Sequence, residues 1–366
     1  MATLASKITN ERTYIVSAWY DNMFFIFMPL FAFLVALTVP HWAYDKSNFL
    51  GIIELPNYMI AFVFLEMTGA IGFLRAYLNP VIIKRFWFRL IVIPILFFCS
   101  LYISVWIVVF AIALEVFWDI YHSTMQTFGI SKFYDKKHGN DTKIGRKQDI
   151  LLNYVIYTGP ILWGIGLIEH SEEAFTFFEF TSTPELMKIP LYIEKFSPYI
   201  AATVISLSII IIYNYYTTFS RLIKNGEYKI CSSKMILLAT TAFCCISIWS
   251  MGDFLMAYLA INIFHSGQYF ALVWHTEQKN LSRVLHVDKF KYWKPVVFLF
   301  FCGAAFIIGT TFCSAELVLN KAVDASILEG HTGVIIRLWI VIGLLHYWHD
   351  GFIWSHEKIN RIKTAK

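Results

Sequence analysis

The chain has 366 residues, of which 58% are hydrophobic and only 15% are charged, whereas a soluble domain carries about 25% charged residues. The mean hydropathy of +0.58 and the many windows of roughly 20 apolar residues predict an all-α, polytopic integral membrane protein. The formal net charge of +5 comes from lysines and arginines in short loops. This is the pattern of cytoplasmic membrane loops and argues against a nucleic-acid partner.

The chain begins with a polar segment, residues 1–22, followed by a first predicted span from Met23 to Val39. A second span is predicted from Asn57 to Leu78, with the isolated carboxylate of Glu66 near its middle. Ionisable groups at membrane depth are costly and usually functional, so Glu66 is a candidate catalytic or proton-carrying residue.

Two apolar segments are too long for a single crossing. Phe86 to Gly129 would measure about 60 Å as one helix, roughly twice the hydrocarbon thickness. It forms either one helix that projects far into water or two helices joined by a tight turn. Met235 to Asn280 has the same character, and a break is predicted at Ser250–Asp253. The basic loops that follow both segments favour two crossings each.

The remaining spans complete a bundle of eight to ten transmembrane helices, with ten if both long segments cross twice. They are Ile150–Ile168, Tyr199–Tyr216, Trp293–Leu317 and Val334–Trp354. We expect one membrane domain over residues 1–366, with some long helices projecting to the cytoplasmic side. The basic tail, residues 355–366, and the N-terminus are both predicted to be cytoplasmic.

The most informative motif, His346-x-x-His349-Asp350, lies in the last span. Positions i, i+3 and i+4 are neighbours on a helix, so the two imidazoles and the carboxylate can point at one object. Imidazole binds iron, copper or zinc, and a carboxylate lowers the net positive charge of such a site. The motif therefore predicts metal ligands at His346 and His349, with Asp350 ligating or orienting. The alternative is a helix end among lipid headgroups.

Two other helix ends carry similar groups. Asp119, His122 and Gln126 form one stripe, so His122 is a predicted ligand and Asp119 a ligand or an orienting carboxylate. His265 and His275 are also candidate ligands, but they lie about 15 Å apart along an α-helix and are not expected to bind the same ion. Four residues are expected to support the ligands by hydrogen bonds: Gln126, Gln268, Tyr269 and Gln278.

Histidines at the ends of long membrane helices resemble the histidine-rich integral-membrane oxygenases, a group that includes fatty-acyl desaturases, alkane hydroxylases and membrane carotene dioxygenases. The resemblance covers residues 119–126, 265–278 and 346–350. The HxxxH and HxxHH boxes of that group are absent, and this chain has HxxH at His346–His349. The resemblance implies a non-heme centre with one or two iron ions, dioxygen activation and an apolar, lipid-like substrate.

These patterns favour a membrane metalloenzyme that oxidises an apolar substrate, with Asp119, Asp350 and Glu66 as candidate catalytic residues. It would meet membrane lipid and a separate electron donor, because no cofactor domain is fused to the chain. Copper, zinc and heme are alternatives to iron. A proton-coupled transporter using Glu66, Asp253 and Arg337 is a second hypothesis, and a protein with heme between two axial histidines is a third. Walker A, GxSxG and HExxH motifs are absent, which disfavours nucleotide-driven transport and triad hydrolysis.

Overall fold

The computed structural model describes residues 13–49, 53–163, 173, 189–321 and 330–353. These residues are predominantly helical, which confirms the all-α prediction. The α-helices in chain order are α1 Ala18–Asp21, α2 Met28–Ala36, α3 Asn57–Leu78, α4 Pro80–Trp87, α5 Ile93–Ser100, α6 Val105–Lys137, α7 Arg146–Leu162, α8 Ile189–Lys224, α9 Ser232–Met251, α10 Phe254–Val284, α11 Trp293–Lys321 and α12 Gly330–Ile353. Between α2 and α3, strands β1 Lys46–Phe49 and β2 Ile53–Pro56 pair in antiparallel register.

The first predicted span is a bent helical segment. The π-helical turn Asn22–Ile26 joins α1 to α2, and the halves Ala18–Ile26 and Met28–His41 meet at 44°. Pro29 is the second residue of α2. Because proline has no backbone N–H and its ring crowds the preceding turn, a bend at this position is expected.

Helix α3 has the bounds that the sequence predicted, Asn57 to Leu78. It ends before Asn79-Pro80, where proline disfavours helical geometry in the residue that precedes it. The Asn79 side chain accepts hydrogen bonds from the backbone N–H groups of Val81 and Ile82, at 3.1 and 3.4 Å. Asn79 therefore caps α4, and proline occupies the first helical position, where its missing N–H costs nothing.

The long apolar segment from Phe86 to Gly129 is divided at residues 101–104, between α5 and α6. The Ser104 hydroxyl accepts from the backbone N–H of Trp106 at 3.2 Å, as an N-cap residue does. Arg337 donates from Nε to the Leu101 carbonyl at 2.9 Å, and its guanidinium lies 4.2 Å from the centre of the Tyr102 ring. The segment thus contains two helices joined by a tight turn.

The second long segment breaks where the sequence predicted, between α9 and α10. Gly252 follows the last residue of α9, and Asp253 accepts from the backbone N–H of Met256 at 2.7 Å. Asp253 is therefore the N-cap of α10. This structural role accounts for the carboxylate without a function in transport.

Three helical stretches among the described residues are long and apolar enough to cross a membrane: Glu194–Lys224, Ser232–Met251 and Trp293–Thr310. The bent segment at the N-terminus makes a fourth if it counts as one span. The full count of eight to ten crossings stays a prediction, as does the side on which the termini lie. Residues 1–12 and the basic tail 355–366 lie outside the described residues.

The chain groups into two compact units. The first unit comprises Met1–His41 and Ile120–Gln268. In it, α9 packs against α2 and α7, and α8 packs against α7. The C-terminal part of α6 and the N-terminal part of α10 belong to this unit, and they carry His122 and His265.

The second unit comprises Trp42–Asp119 and Tyr269–Lys366. Helix α3 packs along α11, and α12 packs against α3, α5 and α11. One core cluster includes Ile71, Tyr269 and Phe301, and another includes Leu101 and Leu344. The prediction that residues 1–366 form a single membrane domain is not tested by this grouping and stays a prediction.

Candidate metal centre

The first unit brings together two of the predicted ligands, His122 on α6 and His265 on α10. Their ring centroids lie 4.9 Å apart with planes at 73°, and the side chains belong to residues that are 8% and 4% exposed. One ring nitrogen of each lies within 4.8 Å of the other. Two imidazole nitrogens on one tetrahedral ion are about 3.4 Å apart, since each bond is about 2.1 Å. A small side-chain movement would therefore let both rings bind one ion.

Two glutamines fix the helices that carry this pair. Gln126, one turn after His122, donates to the backbone carbonyl of His265 at 3.0 Å and to Oε1 of Gln268 at 3.3 Å. Gln268 in turn donates to the carbonyl of Phe25 at 2.9 Å. The predicted supporting residues Gln126 and Gln268 thus act on backbone groups. They set where α10 places the His265 ring without using an atom of that ring.

The second unit contains the predicted face of α12. His346, His349 and Asp350 are all buried there. The Tyr269 hydroxyl donates to Oδ1 of Asp350 at 2.9 Å, and the Tyr269 ring meets the His346 ring edge-on with centroids 5.1 Å apart. Tyr269 was predicted to support the ligands, and in the structure it binds the carboxylate and contacts the imidazole.

Gly72 on α3 makes this arrangement possible, and it was not among the residues predicted from the sequence. A Cβ at this position would lie 2.8 Å from Nδ1 of His346 and 3.0 Å from the hydroxyl oxygen of Tyr269. Only a glycine lets the α3 backbone approach both side chains so closely. A glycine inside an apolar span is the available signal, but it does not say which side chains will approach.

His349 has different surroundings from His346. The residue is 1% exposed, and its ring meets the rings of Phe73, Tyr77 and Phe352 edge-on, with centroids 5.3, 5.8 and 6.0 Å apart. Within the described part of the chain, neither ring nitrogen of His349 has a hydrogen-bond partner. The two imidazoles of the HxxH motif therefore belong to separate environments, one beside Tyr269 and one enclosed by aromatic rings.

The remaining predicted residues are His275, Gln278, Asp119 and Glu66. His275 is exposed on α10, and Gln278 donates to the His275 carbonyl on the same helix, at 3.5 Å. Asp119 is half-buried on α6. The backbone of Glu66 lies in α3, but its side chain lies outside the described residues. Roles for these residues stay predictions.

A buried ionic cluster in the first unit was not expected from the sequence. It consists of Lys132 and Asp135 on α6, Asp149 on α7 and Lys234 on α9. Lys132 Nζ lies 3.0 Å from Oδ2 of Asp135 and forms an ion pair with Asp149. Lys234 Nζ lies 3.0 Å from Asp135 and 2.8 Å from Asp149. Both lysines lie in stretches of the sequence that have the basic composition of cytoplasmic loops.

Tyr228 completes this cluster, because its hydroxyl donates to Oδ1 of Asp135. Burial raises the pKa of Tyr228 above its usual value, and the hydrogen bond to Asp135 raises the pKa further. The phenol therefore stays protonated and acts as a donor. The cluster balances two ammonium groups against two carboxylates, so it is neutral as a whole.

The buried pair His122 and His265 of the first unit could hold a metal ion. Neutral imidazoles bind zinc, copper, iron and nickel, so the donor type alone does not identify the metal. A ligand set without carboxylates would leave the ion its full positive charge, which favours activation of a bound molecule. No protein-family model, curated protein or solved structure matches the chain.

Proposed function

We propose that this chain is an integral-membrane, metal-dependent oxidoreductase that acts on an apolar, lipid-like substrate. The buried pair His122 and His265, with ring centroids 4.9 Å apart, is the observation that carries the proposal. These residues lie 143 positions apart in sequence, and the fold brings together two groups of the type that transition metals prefer. We propose non-heme iron as the metal, since oxidation of the substrate by dioxygen requires a redox-active ion.

The chain's own residues would hold the ion, fix its position and keep water away from it. His122 and His265 would bind it through ring nitrogens. Gln126 and Gln268 would hold the two helices in register through the bonds to backbone carbonyls described above. When bound, the iron would supply dioxygen activation. Electrons would come from a separate donor, because the sequence contains no dinucleotide-binding motif.

An apolar substrate suits the position of the pair. The described helices expose many large apolar side chains, among them Phe31, Leu207 and Ile210, as expected for surfaces that contact lipid. A substrate that partitions into the bilayer can reach a buried site laterally, whereas a charged one would have to be desolvated. Asp253 caps α10, and Arg337 binds the Leu101 carbonyl at the end of α5. These structural roles do not favour the transporter hypothesis.

Metal analysis of the purified protein tests this proposal. We expect about one equivalent of iron in the wild type and loss of most of it in His122→Ala and His265→Ala, since each removes a ligand. His346→Ala, measured in the same series, tests separately whether the imidazole beside Tyr269 in the second unit binds metal. His286→Asn is the control. His286 is exposed at φ 56°, and asparagine tolerates this left-handed conformation.

Two results would contradict the proposal at different levels. Metal content that is unchanged in His265→Ala, while the variant elutes as the wild type does on size exclusion, would show that the pair binds no metal. Zinc as the sole bound ion would leave the metal site standing but contradict the proposed dioxygen activation, because zinc has no redox chemistry of its own.

A further inference from the structure

A short amphipathic element of the second unit has a composition that the proposed metal centre does not explain. It comprises α4 and the π-helical turn Phe88–Val92 that follows it. Ile82 and Leu90 point inward and pack with Ala76, Phe352 and Ile353. The same element exposes cations and aromatic rings together: Lys84, Arg85, Trp87, Phe88 and Arg89.

This element is held firmly against the ends of two long helices. The Tyr77 hydroxyl donates to the Leu90 carbonyl at 2.6 Å, and Asn79 caps the start of α4. Its inward contacts are with the last turns of α3 and α12, at Ala76 and Phe352. In a helix that crosses a bilayer, the last turn lies at the level of the lipid headgroups.

The local charge is strongly positive. No aspartate or glutamate occurs from residue 67 to residue 114. The nearby carboxylate of Glu277 already binds Arg75 at 3.2 Å and Asn79 at 3.1 Å. Within the described part of the chain, no salt bridge involves Lys84 or Arg89. The Arg89 guanidinium lies 5.4 Å from the centre of the Phe352 ring, a cation–π contact that holds the charge at this helix end.

We propose that residues 79–92 form a binding site for the headgroup of an anionic phospholipid. Lys84 and Arg89 would bind the phosphate oxygens, since charge-assisted bonds to phosphate are short and strong. Trp87, which is 56% exposed, would lie at the boundary between headgroups and acyl chains, the level at which tryptophan is enriched. Basic residues beside exposed apolar side chains are the composition of interfacial elements that recognise anionic lipid.

Native mass spectrometry of the detergent-purified full-length chain tests this site, with phosphatidylglycerol and phosphatidylcholine compared as added lipids. We expect the wild type to retain phosphatidylglycerol preferentially. The double variant Lys84→Gln/Arg89→Gln should lose that preference by roughly tenfold or more, given about 1 kcal/mol for each cation at an anionic surface. Lys84→Arg/Arg89→Lys keeps both charges and should keep the preference, which separates lost charge from lost folding.

The matched control removes two cations elsewhere. Lys136→Gln/Lys137→Gln at the exposed end of α6 changes the net charge equally, without a neighbouring exposed aromatic pair, and should leave the preference unchanged. An equal loss in this control would reduce the effect to overall charge and overturn the proposal. Displacement of the lipid by millimolar inorganic phosphate would also overturn it, because the site would then be a simple anion site.

Discussion

Helix α6 carries two buried clusters of opposite character, separated by about 15 Å along its axis. Near its middle, His122 meets His265 of α10. Ten residues later, Lys132 begins the ionic cluster with Asp135, Asp149 and Lys234. Both clusters lie in the first unit, and both consist of buried polar side chains. They differ in charge and in what their atoms already bind.

The ionic cluster is complete within itself. Its two ammonium groups face two carboxylates, Tyr228 donates to Asp135, and Lys132 also donates to the Ile144 carbonyl at 3.0 Å. Desolvating each ion costs several kcal/mol, and only close pairing with further hydrogen bonds offsets that cost. The cluster therefore joins α6, α7 and α9. The histidine pair consists of two imidazoles, whose nitrogen lone pairs can bind a borderline cation.

We expect Lys234→Met to have the largest effect on stability, because Lys234 pairs with both carboxylates of the ionic cluster. The substitution removes one ammonium group and leaves two buried carboxylates facing the single charge of Lys132. Breaking a buried ion pair on one side typically costs about 3–5 kcal/mol, so the variant should unfold at a much lower temperature or fail to accumulate. Thermal unfolding in detergent measures the effect.

The control for this variant is Lys224→Met at the exposed end of α8. It removes the same charge from the same unit and should change stability by less than about 0.5 kcal/mol, as surface substitutions do. Equal loss in both variants would contradict a specific role for the cluster.

Tyr228→Phe probes the same cluster more gently. It deletes the hydroxyl that donates to Asp135, and bonds to charged groups contribute about 1.5–3 kcal/mol. The pKa of Tyr228 is raised by burial and by Asp135, so its contribution is fully present below the unfolded pKa near 10 and is lost as pH rises beyond that value. Unfolding measured from pH 7 to pH 11 should show a steeper alkaline loss in the wild type than in Tyr228→Phe. Parallel curves would refute the coupling.

The local part of the fold could be predicted from the sequence. The bounds of α3 follow from an apolar run ended by Asn79-Pro80, and the break before α10 follows from Gly252-Asp253. The buried face of His346, His349 and Asp350 follows from helical spacing. Each of these features depends on residues within one or two turns of one another, where propensity and periodicity act directly.

The features that depend on distant residues could not be predicted. Lys132 and Lys234 look like loop cations until Asp149 is brought beside them, and positive charge near helix ends is usually solvated. The turn at residues 101–104 contains neither glycine nor proline, and Arg337 binds its Leu101 carbonyl from 236 positions away. Which of the predicted histidines would lie together could not be predicted either, because 143 positions of sequence separate His122 from His265.

We expect the mildest change in stability from Gln126→Leu, a substitution beside the histidine pair. Leucine keeps most of the side-chain volume but removes the donor that binds the His265 carbonyl and Gln268. One neutral hydrogen bond contributes about 0.5–1.5 kcal/mol, so the protein should remain folded. If this bond sets the position of the His265 ring, metal affinity should fall by about tenfold, the lower end of the range for residues that orient ligands. Metal titration of Gln126→Leu beside Lys224→Met separates positioning from stability, and unchanged affinity would mean that α10 places the ring without help from Gln126.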